Sequence, residues 1–328
     1  MFHNSSLIGG PGLFSYGSGI KLYEAHEHWL VCPTHVLWRH NEAPCAEREC
    51  LRCVLNYHRP PQLWRYTGYL GHQLGHVDAF IAKSEFSRRK HAEFGFPREM
   101  TVIPYFLPGG AEIPAQAEAK ARDTATATAT SNSHPRSGAR PYFLFVGRLE
   151  KIKGLDDVIP AMARYPDADL LIAGDGEYGG TLRALGAGLP NVKFLGRIAP
   201  DALRALYAEA IALIVPSVCF ETFGIILIEA FRQGTPVVAR RIGPFPEIVE
   251  TSGGGLLFER GEELPGILGR LQRGAELRAR LAANAYASFQ TLWTEEAVVP
   301  RYLELIAEVA ARKGRSDVAE RLMTESTA

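Results

Sequence analysis

Tyr142-Phe143-Leu144-Phe145-Val146-Gly147-Arg148-Leu149-Glu150-Lys151-Ile152-Lys153-Gly154 passes from five apolar residues, through a glycine, into a charged loop that closes on a second glycine. An unbroken apolar run of this length reads as a strand buried on both faces, the kind found in parallel sheets. Glycine at the strand end lets the backbone come close to a ligand. A helix is expected to open at Leu155, so Arg148 and Lys153 set two cations beside a helix N-terminus, whose free amides favour an anion. The combination suits a diphosphate. The same residues also fit an ordinary strand-to-helix loop with solvated cations.

Downstream the pattern repeats. Short apolar runs at Leu170–Ala173, Val192–Leu195, Ile211–Val215, Pro236–Ala239 and Gly255–Phe258 alternate with amphipathic stretches of helical length. Residues 141–293 therefore read as a doubly wound α/β domain, whose ligands bind at loops following the carboxyl ends of strands. One such loop is Pro216-Ser217-Val218-Cys219-Phe220-Glu221-Thr222-Phe223-Gly224, followed by Ile225-Ile226-Leu227-Ile228-Glu229-Ala230-Phe231. That second segment is apolar all round, as in a buried helix, and Glu229 is its one charge. Burying a lone carboxylate is costly without a partner. A ribose offers two adjacent hydroxyl donors that a carboxylate can accept; an ion pair with Arg240 or Arg241 is the alternative. Glu221 can accept from sugar hydroxyls, and the amides of Phe223, Gly224 and Ile225 at the helix start suit a phosphate.

Working upstream, residues 115–140 are small, polar and repetitive, including Thr-Ala-Thr-Ala-Thr-Ala-Thr, and cannot bury enough apolar surface to offset their ordering entropy. They read as a flexible linker. Before them, residues 1–114 carry strand-like Val77–Ala82 and Met100–Pro104, helical Gln62–Leu74 and Glu85–Phe94, and another short apolar segment bracketed by Leu22 and Trp29–Cys32. A second, smaller α/β unit follows from this. Residues 294–328 form a helical tail in which Pro300 should limit or kink the first helix.

The length of 328 residues suits two domains, and 46% hydrophobic against 22% charged residues is the composition of a globular protein. Lys plus Arg and Asp plus Glu number 36 each, so the basic footprint of a nucleic-acid binder is missing. No apolar run is long enough to span a bilayer, and Met1-Phe2-His3-Asn4 does not open a signal peptide. A cytoplasmic protein is expected, with peripheral contact at the inner face of the membrane as the alternative; the basic run Arg88-Arg89-Lys90 fits a solvated helix face or such a contact.

Gly-Arg-x4-Lys-Gly after one strand and Glu221-x7-Glu229 after a later one, with Gly174-Asp175-Gly176 and Gly196-Arg197 between them, resemble the donor domain of family 4 retaining glycosyltransferases of the GT-B fold. The resemblance covers Pro141 to about Leu292. It implies two Rossmann-like domains with a cleft between them, a nucleotide diphosphate sugar as donor, and no cofactor required for catalysis. It further implies that Arg148 and Lys153 neutralise the pyrophosphate, that Glu221 contacts the donor hexose, and that Glu229 holds the ribose. His26-Glu27-His28-Trp29-Leu30-Val31-Cys32-Pro33 resembles the family's Thr-x-His-Asp/Glu segment, which places His26 beside the transferred sugar, with Glu24 where threonine is usual. Asp78–Ser84 resembles the Asp-x5-Ser strand that precedes a helix facing the cleft, and Thr101-Val102-Ile103-Pro104 the segment before the interdomain connection. Where the family has Asn-Gly after that proline, Tyr105-Phe106 stand here. The family's opening strand and Gly-Gly-x-Gly-like loop have no counterpart: Gly9-Gly10 follows no strand and is succeeded by Pro11. The amino-terminal domain thus reads as incomplete.

All ten histidines lie between His3 and His134, and four of the five cysteines (Cys32, Cys45, Cys50, Cys53) fall within twenty-two residues. Four thiols on one loop-rich segment, with His35, His40 and His58 nearby, match a structural zinc site; reduced thiols with packing roles are the other reading. His72 and His76 are one helical turn apart, as for a metal pair or simply a polar helix face.

The expectation is a hexosyltransferase-like enzyme that passes sugar from a nucleotide diphosphate sugar to a glycan, lipid or small-molecule acceptor with retention of configuration. A shortened homologue that binds nucleotide sugar without transfer is the alternative. A GT-B epimerase or a phosphorylase is a third, the latter requiring a pyridoxal lysine that no motif supplies.

Overall fold

The computed structural model describes residues 1–3, 10–108, 140–315, 317–318 and 321. The chain forms two compact units: Met1–Phe106 with Cys219–Phe223 and Glu295–Ala328, and Leu107–Val218 with Gly224–Thr294. The segment expected as a linker over 115–140 lies outside the described residues, apart from Arg140.

The first unit contains β1 (Phe2–His3), β2 (Leu22–Ala25), the antiparallel hairpin β3 (Trp38–Arg39) and β4 (Ala43–Pro44), α1 (Cys50–Asn56), α2 (Tyr69–Leu74), β5 (Ala79–Ala82), α3 (Glu85–Glu93) and β6 (Thr101–Val102). Its sheet has the order β1-β2-β5-β6, with every pair parallel. Phe14, Tyr23, Trp29, Phe80 and Phe96 fill its aromatic core. Ser84 starts α3 by accepting the Ser87 amide at 3.0 Å, the side-chain capping that an N-terminal serine provides.

Two local expectations change. The helix expected over Gln62–Leu74 divides into a 3-10 turn at Leu63–Tyr66 and α2, broken at Thr67-Gly68. Tertiary contacts override helical pattern there: Arg65 donates to the carbonyls of Trp29 at 2.6 Å and Leu30 at 3.2 Å, and its guanidinium lies 4.6 Å from the Trp64 ring centroid. Trp29–Cys32 forms turns, with the Val31 and Cys32 amides both donating to the His28 carbonyl; the strand of this region is β2.

The second unit contains β7 (Tyr142–Val146), α4 (Leu155–Ala163), β8 (Asp169–Ala173), α5 (Gly179–Leu185), β9 (Val192–Gly196), α6 (Pro200–Glu209), β10 (Leu213–Val215), α7 (Ile225–Arg232), β11 (Val237–Arg240), α8 (Phe245–Ser252), β12 (Gly255–Phe258), α9 (Leu264–Arg273) and α10 (Ala275–Leu292). All six apolar runs read from the sequence are strands. They form one parallel sheet in the order β12-β11-β10-β7-β8-β9. Phe143, Phe145, Leu170, Ile172, Ile214 and Val238 are each at most 1% exposed between its covering helices, which is why these strands show no polar alternation.

The last helix, α11 (Glu295–Arg312), belongs to the first unit: Val298, Leu305 and Val309 pack on Leu22, Ile81 and Ile103. Pro300 lies inside α11 without ending it. The carbonyl that loses its partner is that of Glu296, an exposed residue where water can take the place of the missing amide. Of the helical tail expected over 294–328, residues 316, 319, 320 and 322–328 lie outside the described residues. Among the described residues no helix is long and apolar enough to cross a membrane.

Candidate functional site

In the second unit the strand order reverses between β7 and β10, and a ligand of such a sheet binds outside the carboxyl ends of the strands flanking that reversal. The two loops singled out from the sequence follow these two strands. They are joined by backbone: the Val218 amide donates to the Ile152 carbonyl at 2.9 Å. Gly154, at φ +71°, adjoins the same contact, and a Cβ there would fall 2.1 Å from the Pro216 carbonyl oxygen. No other residue type combines that dihedral with that approach. The loops after β8 and β9 join the array, with the Leu149 amide donating to Asp175 O at 3.0 Å and the Gly174 amide to Gly196 O at 2.7 Å. The glycine motifs of the sequence therefore meet at one end of one sheet.

Gly147 leaves β7, and the next residue, Arg148, is 74% exposed at its side chain, paired with Glu150 at 2.7 Å. Lys153 is half-buried in a short 3-10 turn just before α4. Gly224 precedes α7 at φ +102°, and a Cβ on it would meet the Phe245 ring at 2.7 Å. Ile225, the first residue of α7, is exposed.

Glu229 sits one turn into α7, half-buried. Its Oε2 accepts from the Tyr207 hydroxyl at 2.8 Å. Burial raises its pKa from the ordinary carboxylate value, and the Tyr207 hydrogen bond opposes that rise. The ion pair with Arg240 or Arg241 does not form. Arg240 reaches Asp157, Pro216 O and Glu259 O, and Arg241 reaches Glu250 at 2.8 Å. Tyr207 had no sequence signal, because only the pairing of α6 with α7 brings it to Glu229.

Glu221 and Phe223 belong to the first unit. Phe223 meets Tyr105 edge-on at 5.6 Å between ring centroids, and Phe220 packs at a tilt on Phe86 at 5.4 Å. The Thr222 hydroxyl donates to the His26 carbonyl at 3.0 Å, and Ser84 Oγ donates to the Thr222 carbonyl at 2.7 Å. The Asp-x5-Ser segment ends, then, on a serine that caps α3 and also holds the Glu221 loop. Glu221 itself is half-buried, with Cys219 Sγ 4.0 Å from its Oε1.

His26 follows β2 and sits in a network of ionisable groups. Its Nδ1 bonds the Tyr105 hydroxyl and its Nε2 lies 2.7 Å from His3 Nδ1; its ring stacks between those of His3 and Tyr105. Beneath them Glu24, 5% exposed, pairs through Oε1 with Lys83, 1% exposed, while Oε2 lies 3.0 Å from His3 Nδ1 and 3.6 Å from His26 Nε2. Lys83 also donates to Ile103 O at 3.2 Å and to the Tyr302 hydroxyl at 2.8 Å, and Tyr302 in turn donates to Glu24. Burial would raise the Glu24 pKa, but the Lys83 charge and the hydrogen bonds from Lys83 and Tyr302 hold it below the usual range. Burial lowers the His26 pKa against the pull of Glu24. The buried carboxylate of Glu24 is accommodated because Lys83 neutralises it.

His3, Glu24 and His26 offer ligand atoms within 4.8 Å of one another, the spacing of a metal site. The Lys83 ammonium on the same carboxylate weakens the case, since it already supplies the charge a cation would bring. Lys83, Tyr105, Tyr302 and His3 were missed in the sequence. The one available signal was Lys83, a lone charge closing the apolar run before Ser84.

Cys32, Cys45, Cys50 and Cys53 line a single cavity of about 20 Å3. Burial and the neighbouring sulfurs push the Cys45 thiol up to about 11 and raise Cys50 as well. His72 and His76 meet edge to face at 5.6 Å between ring centroids. Arg88 and Lys90 pair along α3 with Glu85 and Glu93, and the Lys90 ammonium also rests 4.9 Å from the Phe220 ring centroid.

Residues 127–288 match the family model described as glycosyl transferases group 1. The sulfoquinovosyl transferase SQD2 of Arabidopsis thaliana is 36% identical over 126 residues, covering 38% of this chain and 24% of that protein. The glycogen synthase of Thermus thermophilus is 39% identical over 150 residues, covering 43% and 34%. The chain thus spans about a quarter to a third of the length of these two relatives. Among solved structures, Anabaena HepE in complex with UDP and glucose superimposes with a TM-score of 0.59 at 22% identity, over 92% of this chain and 71% of that one. The fold is the parallel-sheet α/β fold of the GT-B glycosyltransferases.

Proposed function

We propose that this protein is a family 4 retaining glycosyltransferase that transfers a sugar from a nucleotide diphosphate sugar to an acceptor. The observation that carries this reading is the meeting of the β7 and β10 loops at the sheet's reversal point, where Arg148 projects into solvent and Lys153 precedes a helix start. As the bond from the anomeric carbon to the diphosphate breaks, negative charge grows on the leaving oxygens. Fixed cations and backbone amides aimed at that charge lower the barrier. Arg148, Lys153 and the amides at the start of α7 fill that role. Glu229 accepts from the ribose hydroxyls, held in place by Tyr207. In the first unit, Glu221 and His26 take the hexose-facing roles. The acceptor oxygen bonds to the face the diphosphate leaves, and the departing phosphate takes the acceptor's proton. The likeness to a protein solved with UDP and glucose makes UDP the first nucleotide to test.

Calorimetric titration with UDP and with uridine provides the test. R148A and K153A are each expected to weaken UDP about tenfold, the size of one charged hydrogen bond, while leaving uridine unchanged. E229A should weaken both ligands. Affinities untouched by all three substitutions would overturn the assignment. Donor binding without release of nucleotide or labelled sugar in the presence of acceptor extracts would favour a homologue that binds but does not transfer.

A further inference from the structure

The stretch between β2 and β5 departs from ordinary backbone geometry. His35, Leu37, His40, Asn41 and His58 have φ of 77°, 48°, 54°, 61° and 53°, and no other described non-glycine residue has a positive φ. Left-handed backbone is costly for residues with a Cβ and persists where its surroundings over-determine it. The same stretch holds a cavity of about 20 Å3 lined by four thiols together with Thr34, Arg39 and Glu49, enough for one small occupant.

The β3–β4 hairpin closes one side, where the Cys45 amide donates to Leu37 O at 2.7 Å. Helix α1 starts at Cys50, so Cys53 follows at i+3 on the same face. Cys32 and Cys53 are buried, and Cys45 and Cys50 are half-buried. A backbone amide already points at sulfur, with His40 N–H donating to Cys53 Sγ at 3.3 Å. The flanking histidines are committed elsewhere: His35 Nδ1 to Glu27 at 2.9 Å, and His40 to Glu49 at 2.8 Å and Asn56 at 3.1 Å. His58 is exposed. Glu49 also lines the cavity, but its carboxylate is held by His40 and Arg39, which leaves the four sulfurs as the donor set; they stand wider apart than the 4.8 Å spacing of the His3, Glu24 and His26 group, so binding draws them together.

We propose that Cys32, Cys45, Cys50 and Cys53 bind one zinc ion in a closed structural site that fixes this loop. Four thiolates around a tetrahedral d10 ion are a standard structural zinc set, and soft sulfur donors select against magnesium and calcium. On binding, the four thiols release their protons to solvent and four S–Zn bonds form, leaving a site of net charge −2. Arg39, Arg48 and Arg65 lie within electrostatic reach of these sulfurs and offset that charge.

The test is metal content of the full chain purified without chelator, together with its cobalt spectrum. One zinc per chain is expected, falling to substoichiometric content in C50S and C53S and unchanged in C219S, whose thiol lies outside the cluster. Cobalt exchanged into the parent protein should give the intense visible bands and thiolate charge-transfer absorption of a tetrahedral sulfur site, a readout that does not depend on any variant folding. A thiol reagent should find four extra reactive groups only after strong chelation, with a lower Tm. Parent protein without stoichiometric zinc, cobalt bound octahedrally, or a disulfide within the cluster would each overturn the proposal.

Discussion

The two units hold their charges in opposite ways. In the second, charged pairs lie at the surface: Arg241 and Glu250 meet at 2.8 Å with side chains 47% and 59% exposed. The sheet beneath them is apolar apart from Asp169, Lys193 and Arg240, and the buried one of these, Asp169, pairs with Arg140 and Lys193, whose side chains are half exposed. In the first, Glu24 and Lys83 pair at 6% and 1% side-chain exposure, and His28 and His91 stack at 5.3 Å in full burial. A six-stranded sheet covered on both faces gains enough from apolar burial to leave its chemistry to loops. The four-stranded sheet carries ionisable groups through its interior, and each must be satisfied by residues far away in the chain. Tyr302 is 278 residues from Glu24, and Lys83 is 219 from Tyr302.

The largest test of this contrast removes Lys83. Its ammonium donates to Glu24, Ile103 O and Tyr302, so K83A strands a buried carboxylate and two further acceptors. Breaking one side of a buried pair costs about 3–5 kcal/mol. Chemical denaturation should show the transition reported by first-unit tryptophans moving to much lower denaturant. K83M with E24L, which removes both charges, should recover most of the loss. If K83A alone were as stable as the parent, Glu24 and Lys83 would not form the ion pair on which the contrast rests.

Next in size is a pH effect. Burial lowers the His91 pKa to about 4, although its Nδ1 donates to Ser87 O at 2.8 Å. Burial lowers His28 in the same direction, with the charges of His91 and Lys90 adding to it. The unfolded chain binds a proton at its ordinary histidine value while the folded chain does not. Stability is thus fully present above about pH 6.5 and is lost as pH falls towards 4. His91 alone accounts for about 3 kcal/mol over that window. Replacing it with glutamine should flatten the pH dependence of the first unit and leave that of the second unchanged. An equal slope in the variant would assign the acid sensitivity to other groups.

The same contrast explains what could be read from the sequence. Strands β7 to β12 were legible because burial on both faces leaves continuous apolar runs, and their loops carry glycines for backbone reasons that Gly154 illustrates. Arg148, Lys153 and Glu229 were singled out because a charge beside such a run stands out. The His26 network was mostly illegible. His26 was singled out by a resemblance, but Lys83, Tyr105 and Tyr302 become partners only through β5, β6 and α11. The break at Gly68 and the uninterrupted α11 at Pro300 share a cause: side-chain contacts, or water at an exposed carbonyl, decide what local propensity leaves open. Glu229 was read as needing a partner, and Tyr207, a neutral one, had no pattern to reveal it.

The smallest expected effect sharpens the contrast from the other side. Arg241 reaches Glu250 at 2.8 Å and Glu259 at 4.0 Å, a denser set of opposite charges than Lys83 meets. If the count of ion pairs governed stability, R241A would cost more than K83A. Solvent screens both carboxylates and the freed arginine entropy offsets the rest, so R241A should change the second unit's stability by only a few tenths of a kcal/mol. Raising the salt concentration should abolish even that difference. A loss above 1 kcal/mol that persists in high salt would show that the second unit's surface charges act as a network, and the division between buried and exposed charge would no longer separate the two units.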